Sequence, residues 1–213
     1  MKTILCFGDS NTWGAAPYIS LANEVRYGPD VRWGSVVRST LGTGYWVVEE
    51  GLNGRTTVWP DPIEGENKSG KAYVPACLES HKPLDLVAIM LGTNDLKHKF
   101  GLSAWDIAAG VATLVEIVQR STVGTAGQAP QVLLICPPPT SRLSLFADLF
   151  DGATEKSRQL AKHYRAVANE RQCQFLDAGQ IIVSSDIDGI HFDAPEQQKL
   201  GRAAAEKIKT ILG

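Results

Sequence analysis

Residues 84–91, Leu84-Asp85-Leu86-Val87-Ala88-Ile89-Met90-Leu91, are apolar at every position but one and stop at Gly92. A short apolar run without polar alternation predicts a central parallel strand covered on both faces. Other stretches read the same way: residues 4–7 stop at Gly8, residues 45–49 lead into Glu50-Gly51, Gln131–Cys136 runs into Pro137-Pro138-Pro139, and residues 173–177 form a short fifth run. Between them lie helical patterns. Asp30 is expected to cap a helix over 31–41 with Trp33, Val36, Val37 and Leu41 on one face. A second helix is expected over 70–81. Ser103 and Asp106 resemble a capping box ahead of Ile107, Val111, Leu114, Val115 and Val118. Residues 154–170 and 195–212 complete the helices, the last with Leu200, Ala204, Ile208 and Ile211 facing inward.

This alternation predicts a single α/β domain over 1–213, a three-layer α/β/α flavodoxin-like sandwich around a five-stranded parallel sheet in the order 2-1-3-4-5. In that order the topological switch point falls between the first and third strands, where open α/β sheets bind ligands. Ser10 and Asn94 follow those two strands. Three excursions stand out for their length: the polar segment 15–29, the proline- and acid-containing surface loop 59–69, and residues 140–152. The last carries Leu143, Leu145, Phe146, Leu149 and Phe150 and reads as a pocket wall or an interface.

Composition narrows the function. The chain has 213 residues, 44% hydrophobic and 21% charged, with 21 basic against 23 acidic side chains. That balance offers no basic footprint for nucleic acid and no polybasic membrane anchor, so a small-molecule ligand is expected. The cysteines, Cys6, Cys77, Cys136 and Cys173, are far apart and form no CxxC pair. Buried thiols in a reducing compartment follow, and with an N-terminal apolar run too short for a signal peptide the expectation is a cytoplasmic protein. No apolar run is long enough to span a bilayer.

The candidate chemistry begins at Gly8-Asp9-Ser10, a serine delivered at the carboxyl end of a buried strand. Nucleophilic serine catalysis also needs an imidazole, an acceptor to orient it and donors for an oxyanion. Asp188-Gly189-Ile190-His191 supplies the first two within one loop, with Asp188 three positions before His191. The Ser10 N–H, the Gly54 N–H and the Asn94 side-chain amide lie just beyond the first three strands and suit an oxyanion hole. His81, His98 and His163 sit among polar residues or on helices and are expected to be solvated. No HxxxH or HxH spacing exists, so no metal and no cofactor is expected. The absence of GxSxG argues against an α/β-hydrolase, and that of a Walker or GxGxxG pattern against phosphate binding.

On these residues the chain resembles the SGNH (GDSL-type) hydrolases. Gly8-Asp9-Ser10 matches the first block, Asn53-Gly54 with Thr56 the second, Gly92-Thr93-Asn94-Asp95 the third and Asp188-Gly189-Ile190-His191 the fifth. The resemblance implies Ser10 as nucleophile, His191 as general base, Asp188 as its partner, and Ser10, Gly54 and Asn94 as oxyanion hole. Asn11 stands where the founding motif has leucine, which leaves the polarity of the acyl site open. LCFGDSNTWG, PDVRW, EEGLNGRTT and DGIHF further resemble the bacterial arylesterase and acyltransferase/perhydrolase branch. That likeness implies short-chain aryl or alkyl esters, acyl transfer to alcohols or peroxide, and a homo-oligomer, an octamer in some members, with contacts expected at 15–29 and 140–150. A carbohydrate acetylesterase or thioesterase on the same triad is the alternative, and a non-catalytic binding protein the reading from another class.

Overall fold

The computed structural model describes residues 1–22 and 24–213. Strands β1 (Lys2–Gly8), β2 (Tyr45–Gly51), β3 (Leu86–Met90), β4 (Gln131–Cys136) and β5 (Gln174–Asp177) are all parallel, in the order β2-β1-β3-β4-β5. This is the sheet read from the sequence. Helices α1 (Ser10–Trp13), α2 (Trp33–Leu41), α3 (Gly70–His81), α4 (Ala104–Arg120), α5 (Ala153–Glu170) and α6 (Ala194–Leu212) connect and cover it.

Successive strand side chains point to opposite faces, so the apolar runs fill two cores at once. Leu5, Phe7, Val87, Ile89 and Leu134 pack against α3, α4 and α5. Ile4, Cys6, Leu86, Ala88, Met90 and Leu133 pack against α2 and α6. Every residue of β3 is buried, as expected for a strand with neighbours on both sides. Ile89 is fully buried, and truncating such a side chain to alanine typically removes about 2–5 kcal/mol.

β3 is shorter than its apolar run. Leu84 and Asp85 precede the ladder: Leu84 donates its N–H to the Val123 carbonyl, and the Asp85 carboxylate accepts the Thr3 N–H. α4 starts on the capping box, with Ser103 and Asp106 bonded reciprocally. α2 departs from expectation. It begins at Trp33, and Asp30 does not cap it. The Trp33 N–H is instead taken by the Gln197 side chain of α6 at 3.0 Å, while the neighbouring Arg32 reaches Glu49 at 2.9 Å. A cap supplied from across the molecule leaves the local Asp30 signal unused.

The register places the ends of β1, β2 and β3 side by side, with Gly8 opposite both Gly51 and Met90. α1 then turns back tightly over these ends. A Cβ on Gly51 would lie 2.0 Å from the Trp13 nitrogen, and one on Gly8 2.0 Å from Thr12 Oγ1. Paired glycines let a four-residue helix sit directly on the strand ends, which brings its first residue, Ser10, to the rim of the sheet.

Candidate active site

Asp9 caps α1, its carboxylate accepting the Asn11 N–H at 3.0 Å, and Ser10 is the first helical residue. The loop between β5 and α6 comes over the same strand ends. His191 Nε2 lies 3.0 Å from Ser10 Oγ, and His191 Nδ1 lies 2.7 Å from Asp188 Oδ2. A carboxylate only accepts, so Nδ1 carries the proton and Nε2 turns its lone pair to the serine hydroxyl.

Asp188 is fully buried and well supplied with donors. Its Oδ1 accepts the N–H groups of Ile190 and His191, each at 2.9 Å, and its Oδ2 also accepts the Tyr18 N–H at 2.7 Å. Burial acts to raise the Asp188 pKa, but the hydrogen bond and charge of His191, with these N–H groups, outweigh it and hold the carboxyl below its ordinary value. The acid is therefore kept ionised beside the imidazole.

The sequence-predicted donors meet around the serine. Ser10, Gly54, Asn94 and His191 line one cavity of about 290 Å³. Among the described residues the N–H groups of Ser10 and Gly54 meet no acceptor. Asn94 donates one amide hydrogen to the Arg55 carbonyl at 3.1 Å, which fixes the amide and leaves its second hydrogen for the cavity. Gly54 has φ +79°, and a Cβ there would sit 2.5 Å from Glu64 Oε2. The loop can thus present its N–H only from a glycine. Three preorganised neutral donors next to a hydroxyl with its base can stabilise the tetrahedral intermediate of acyl transfer.

Several supporting residues escaped the sequence reading. Arg55 is buried, its Nη1 donating to the Gly8 carbonyl at 2.8 Å and the Glu50 carbonyl at 2.5 Å, with its guanidinium over the Phe7 ring. It ties the Gly54 loop to the strand end that carries Ser10. Asp95 is fully buried and accepts both the N–H (3.0 Å) and the hydroxyl (2.5 Å) of Thr57, tying the same loop to the third strand. Burial lifts Asp95 to about 7, against the opposing Thr57 bonds, and lifts Asp9 to about 6. Asn11 does not line the cavity. It is buried and donates to the Ile190 carbonyl at 3.3 Å, while its own carbonyl holds Gln197 at 3.1 Å. The leucine-to-asparagine departure therefore braces the histidine loop and leaves acyl-site polarity untouched. The adjacency of Thr56-Thr57 and Asn94-Asp95 to their motifs was the available signal for two of these residues.

The cavity wall comes from all three excursions. Tyr18, Leu21 and Glu24 belong to the first, Glu64 and Lys68 to the second, and Phe146, Leu149 and Phe150 to the third. The Tyr18 and Phe146 rings pack against His191 at 4.9 and 6.2 Å between centroids. The 59–69 loop is more than surface. Asp61 is fully buried and, with Glu64, pairs with Lys97 and Lys99, which anchors the loop to the third strand's exit. Of the other histidines, His98 is exposed, but His81 is half-buried against Glu50 at 2.8 Å and His163 is also partly covered. The Glu50–His81 pairing crosses from β2 to α3, so the polar neighbours of His81 in sequence do not reveal it.

Comparison with known proteins bears on the fold and the family. Residues 6–199 match the model of the GDSL-like Lipase/Acylhydrolase family. The chain belongs to that family. A carbohydrate acetylesterase from Sinorhizobium meliloti superposes with a TM-score of 0.96 at 41% identity, over 100% of both chains. The native aryl esterase of M. smegmatis gives 0.95 at 43% identity, again over 100% of both. A second carbohydrate acetylesterase family member from S. meliloti gives 0.92 at 38% identity with the same coverage. A search of curated protein sequences finds no match. Fold, site and family together define a carboxylic ester hydrolase of the serine type.

Proposed function

We propose that the chain hydrolyses short-chain carboxylic esters of aryl or simple alkyl alcohols through an acyl-enzyme on Ser10. The single observation that carries this reading is the hydrogen-bonded series Ser10, His191, Asp188 at 3.0 and 2.7 Å. In the first half-reaction His191 Nε2 takes the Ser10 proton as Oγ bonds to the ester carbonyl carbon. The Ser10 and Gly54 N–H groups and the Asn94 amide receive the developing oxyanion. The tetrahedral intermediate then collapses, the protonated imidazole hands its proton to the departing alkoxide, and the alcohol leaves. In the second half water, or an alcohol or peroxide in the transfer reaction, repeats the attack on the acyl carbon and regenerates Ser10. Asp188 orients the ring and stabilises the imidazolium throughout.

The small cavity, with Leu21, Phe146, Leu149, Phe150 and Ile190 on its walls, supports short acyl chains. Its polar side, Glu24, Glu64, Lys68 and Lys97, favours a second reading in which the alcohol is a carbohydrate. Arylesterases and carbohydrate acetylesterases both occur among the similar structures. Among the described residues no helix is long and apolar enough to cross a membrane. A cytoplasmic location and a homo-oligomer complete the proposal, the latter supported by Ile19 and Leu21, 79% and 73% exposed, on the first excursion. Light scattering tests it, and a monomer at working concentration overturns it.

The decisive experiment is Ser10→Ala assayed with p-nitrophenyl acetate alongside acetylated sugar. Turnover of both should fall by at least about 10³-fold with the fold intact. Near-wild-type turnover would end the proposal, and the wild-type ratio between the two substrates separates the two readings.

A further inference from the structure

We propose that Glu50, Cys77 and His81 form a binding site for one divalent transition-metal ion of the zinc class, separate from the ester-cleaving pocket. Glu50 lies at the end of the edge strand β2, and Cys77 and His81 stand four apart on the face of α3 that packs on it. One ligand atom from each side chain lies within 4.8 Å of the other two. None of these residues lines the cavity around Ser10.

The arrangement already resembles a ligand set with its supporting contacts. His81 Nε2 is 2.8 Å from Glu50 Oε1. Tyr73, one turn before Cys77 and two before His81 on the same helix face, donates its hydroxyl to Glu50 Oε2 at 3.2 Å and so turns the other oxygen towards the imidazole. Such a bond from outside the ligand set is how carboxylate ligands are commonly oriented. Tetrahedral zinc, with bonds of about 2.0–2.3 Å, needs ligand atoms roughly 3.3–3.7 Å apart. The Glu50–His81 contact must therefore open by roughly 0.5–1 Å as the ion enters. Both side chains retain freedom for this, being 22% and 28% exposed, while Cys77 is buried.

Charge and donor chemistry point to the same class of ion. Binding replaces the thiol proton of Cys77, released to water, by a metal–sulfur bond. Carboxylate and thiolate then neutralise the two positive charges, so that the partly buried cluster carries no net charge. A sulfur, nitrogen and oxygen set favours zinc, cobalt or copper over magnesium or calcium, which take oxygen ligands. The buried cation Arg55 lies beside the cluster, its guanidinium donating to the Gly8 and Glu50 carbonyls and resting over the Tyr73 ring at 5.2 Å. An ion here clamps α3 to the sheet's edge strand.

The test uses the full, reduced, metal-free chain titrated with Co²⁺ as a spectroscopic probe and with Zn²⁺ by calorimetry. The expected result is one equivalent bound, a thiolate-to-cobalt charge-transfer band, and a Zn²⁺-dependent rise in Tm. Cys77→Ser should abolish the band. His81→Gln, at a half-exposed helix position, should weaken Zn²⁺ at least about tenfold while leaving the apo Tm little changed. Absence of stoichiometric binding, or band and affinity unchanged in both variants, overturns the site. Ser10→Ala should bind the ion as the wild type does, so this result does not depend on the reading of the ester pocket.

Discussion

The strand ends and the excursions that surround them are built in opposite ways. At the strand ends Ser10, Asn94 and His191 are 6% exposed or less, and Asp188 and Asp95 are fully buried. Every one of those polar side chains is held by a hydrogen bond from a different element. On the excursions Ile19, Leu21 and Ile63 are more than 70% exposed, and the segments are tied to the frame at separate points between exposed stretches, among them the Tyr18 N–H on Asp188 and the buried Asp61 on Lys99. The chemistry is thus fixed by short loops that cannot move independently, while the shape of the binding site is left to segments that change with little effect on the core.

If that contrast is right, substitutions at the strand ends should change kcat by orders of magnitude and those on the excursions should change substrate preference. The largest effect after loss of the serine itself is expected from Asp188→Asn. It presents an amide to His191, reverses the tautomer, and should lower kcat by about 10³–10⁴-fold. Steady-state kinetics measure this, and a loss below tenfold would remove Asp188 from the machinery. Asn94→Ala should lower kcat by about 10²–10³-fold with KM nearly unchanged, because its second amide hydrogen meets only the transition state. A rise in KM at constant kcat would show the amide to be a ground-state contact.

A gentler probe concerns what holds the loops together. Asp95 has its folded pKa raised to about 7, above an unfolded value of about 3.9. Its folded form binds the proton more tightly, so its contribution to stability is fully present below about pH 4 and is lost as pH rises through about 7. The Tm of the wild type relative to Asp95→Asn should therefore decline across that window. A difference independent of pH would mean that Asp95 is not protonated in the fold. The smallest effect is expected on the excursions. Leu149→Ala cuts back the apolar wall and enlarges the cavity, which should shift preference towards longer acyl chains by less than about tenfold, with little change in acetate turnover. A collapse of acetate turnover would erase the distinction between the two regions.

The same division explains what could be read from the chain. The sheet order and the meeting of Ser10, Gly54, Asn94, Asp188 and His191 were legible because each depends on short local signals: an apolar run, a glycine stop, an acid three positions from a histidine. The cap on α2 was not, since Asp30 is the local candidate and Gln197, 164 positions from Trp33, supplies the bond. His81 appears solvent-bound among its sequence neighbours until β2 brings Glu50 against it. Asp61 sits in a polar, proline-containing stretch that reads as surface, and only Lys99 on another loop reveals its burial. Side-chain pairs between distant elements leave no periodicity in either partner.

The bond between His191 and Ser10 joins positions 181 apart, and it has a consequence for how the molecule comes into being. During synthesis the serine leaves the ribosome 181 residues ahead of the histidine, and all five strands are made before the histidine emerges. Release of the histidine is followed by a further step, because the Asn11 carbonyl and the Trp33 N–H are gathered by Gln197 of α6. The hydroxyl acquires its base only when that helix docks. Chains that have not yet placed His191 against Ser10 should show no ester turnover, and the appearance of activity in a refolding experiment should report the closing of that contact.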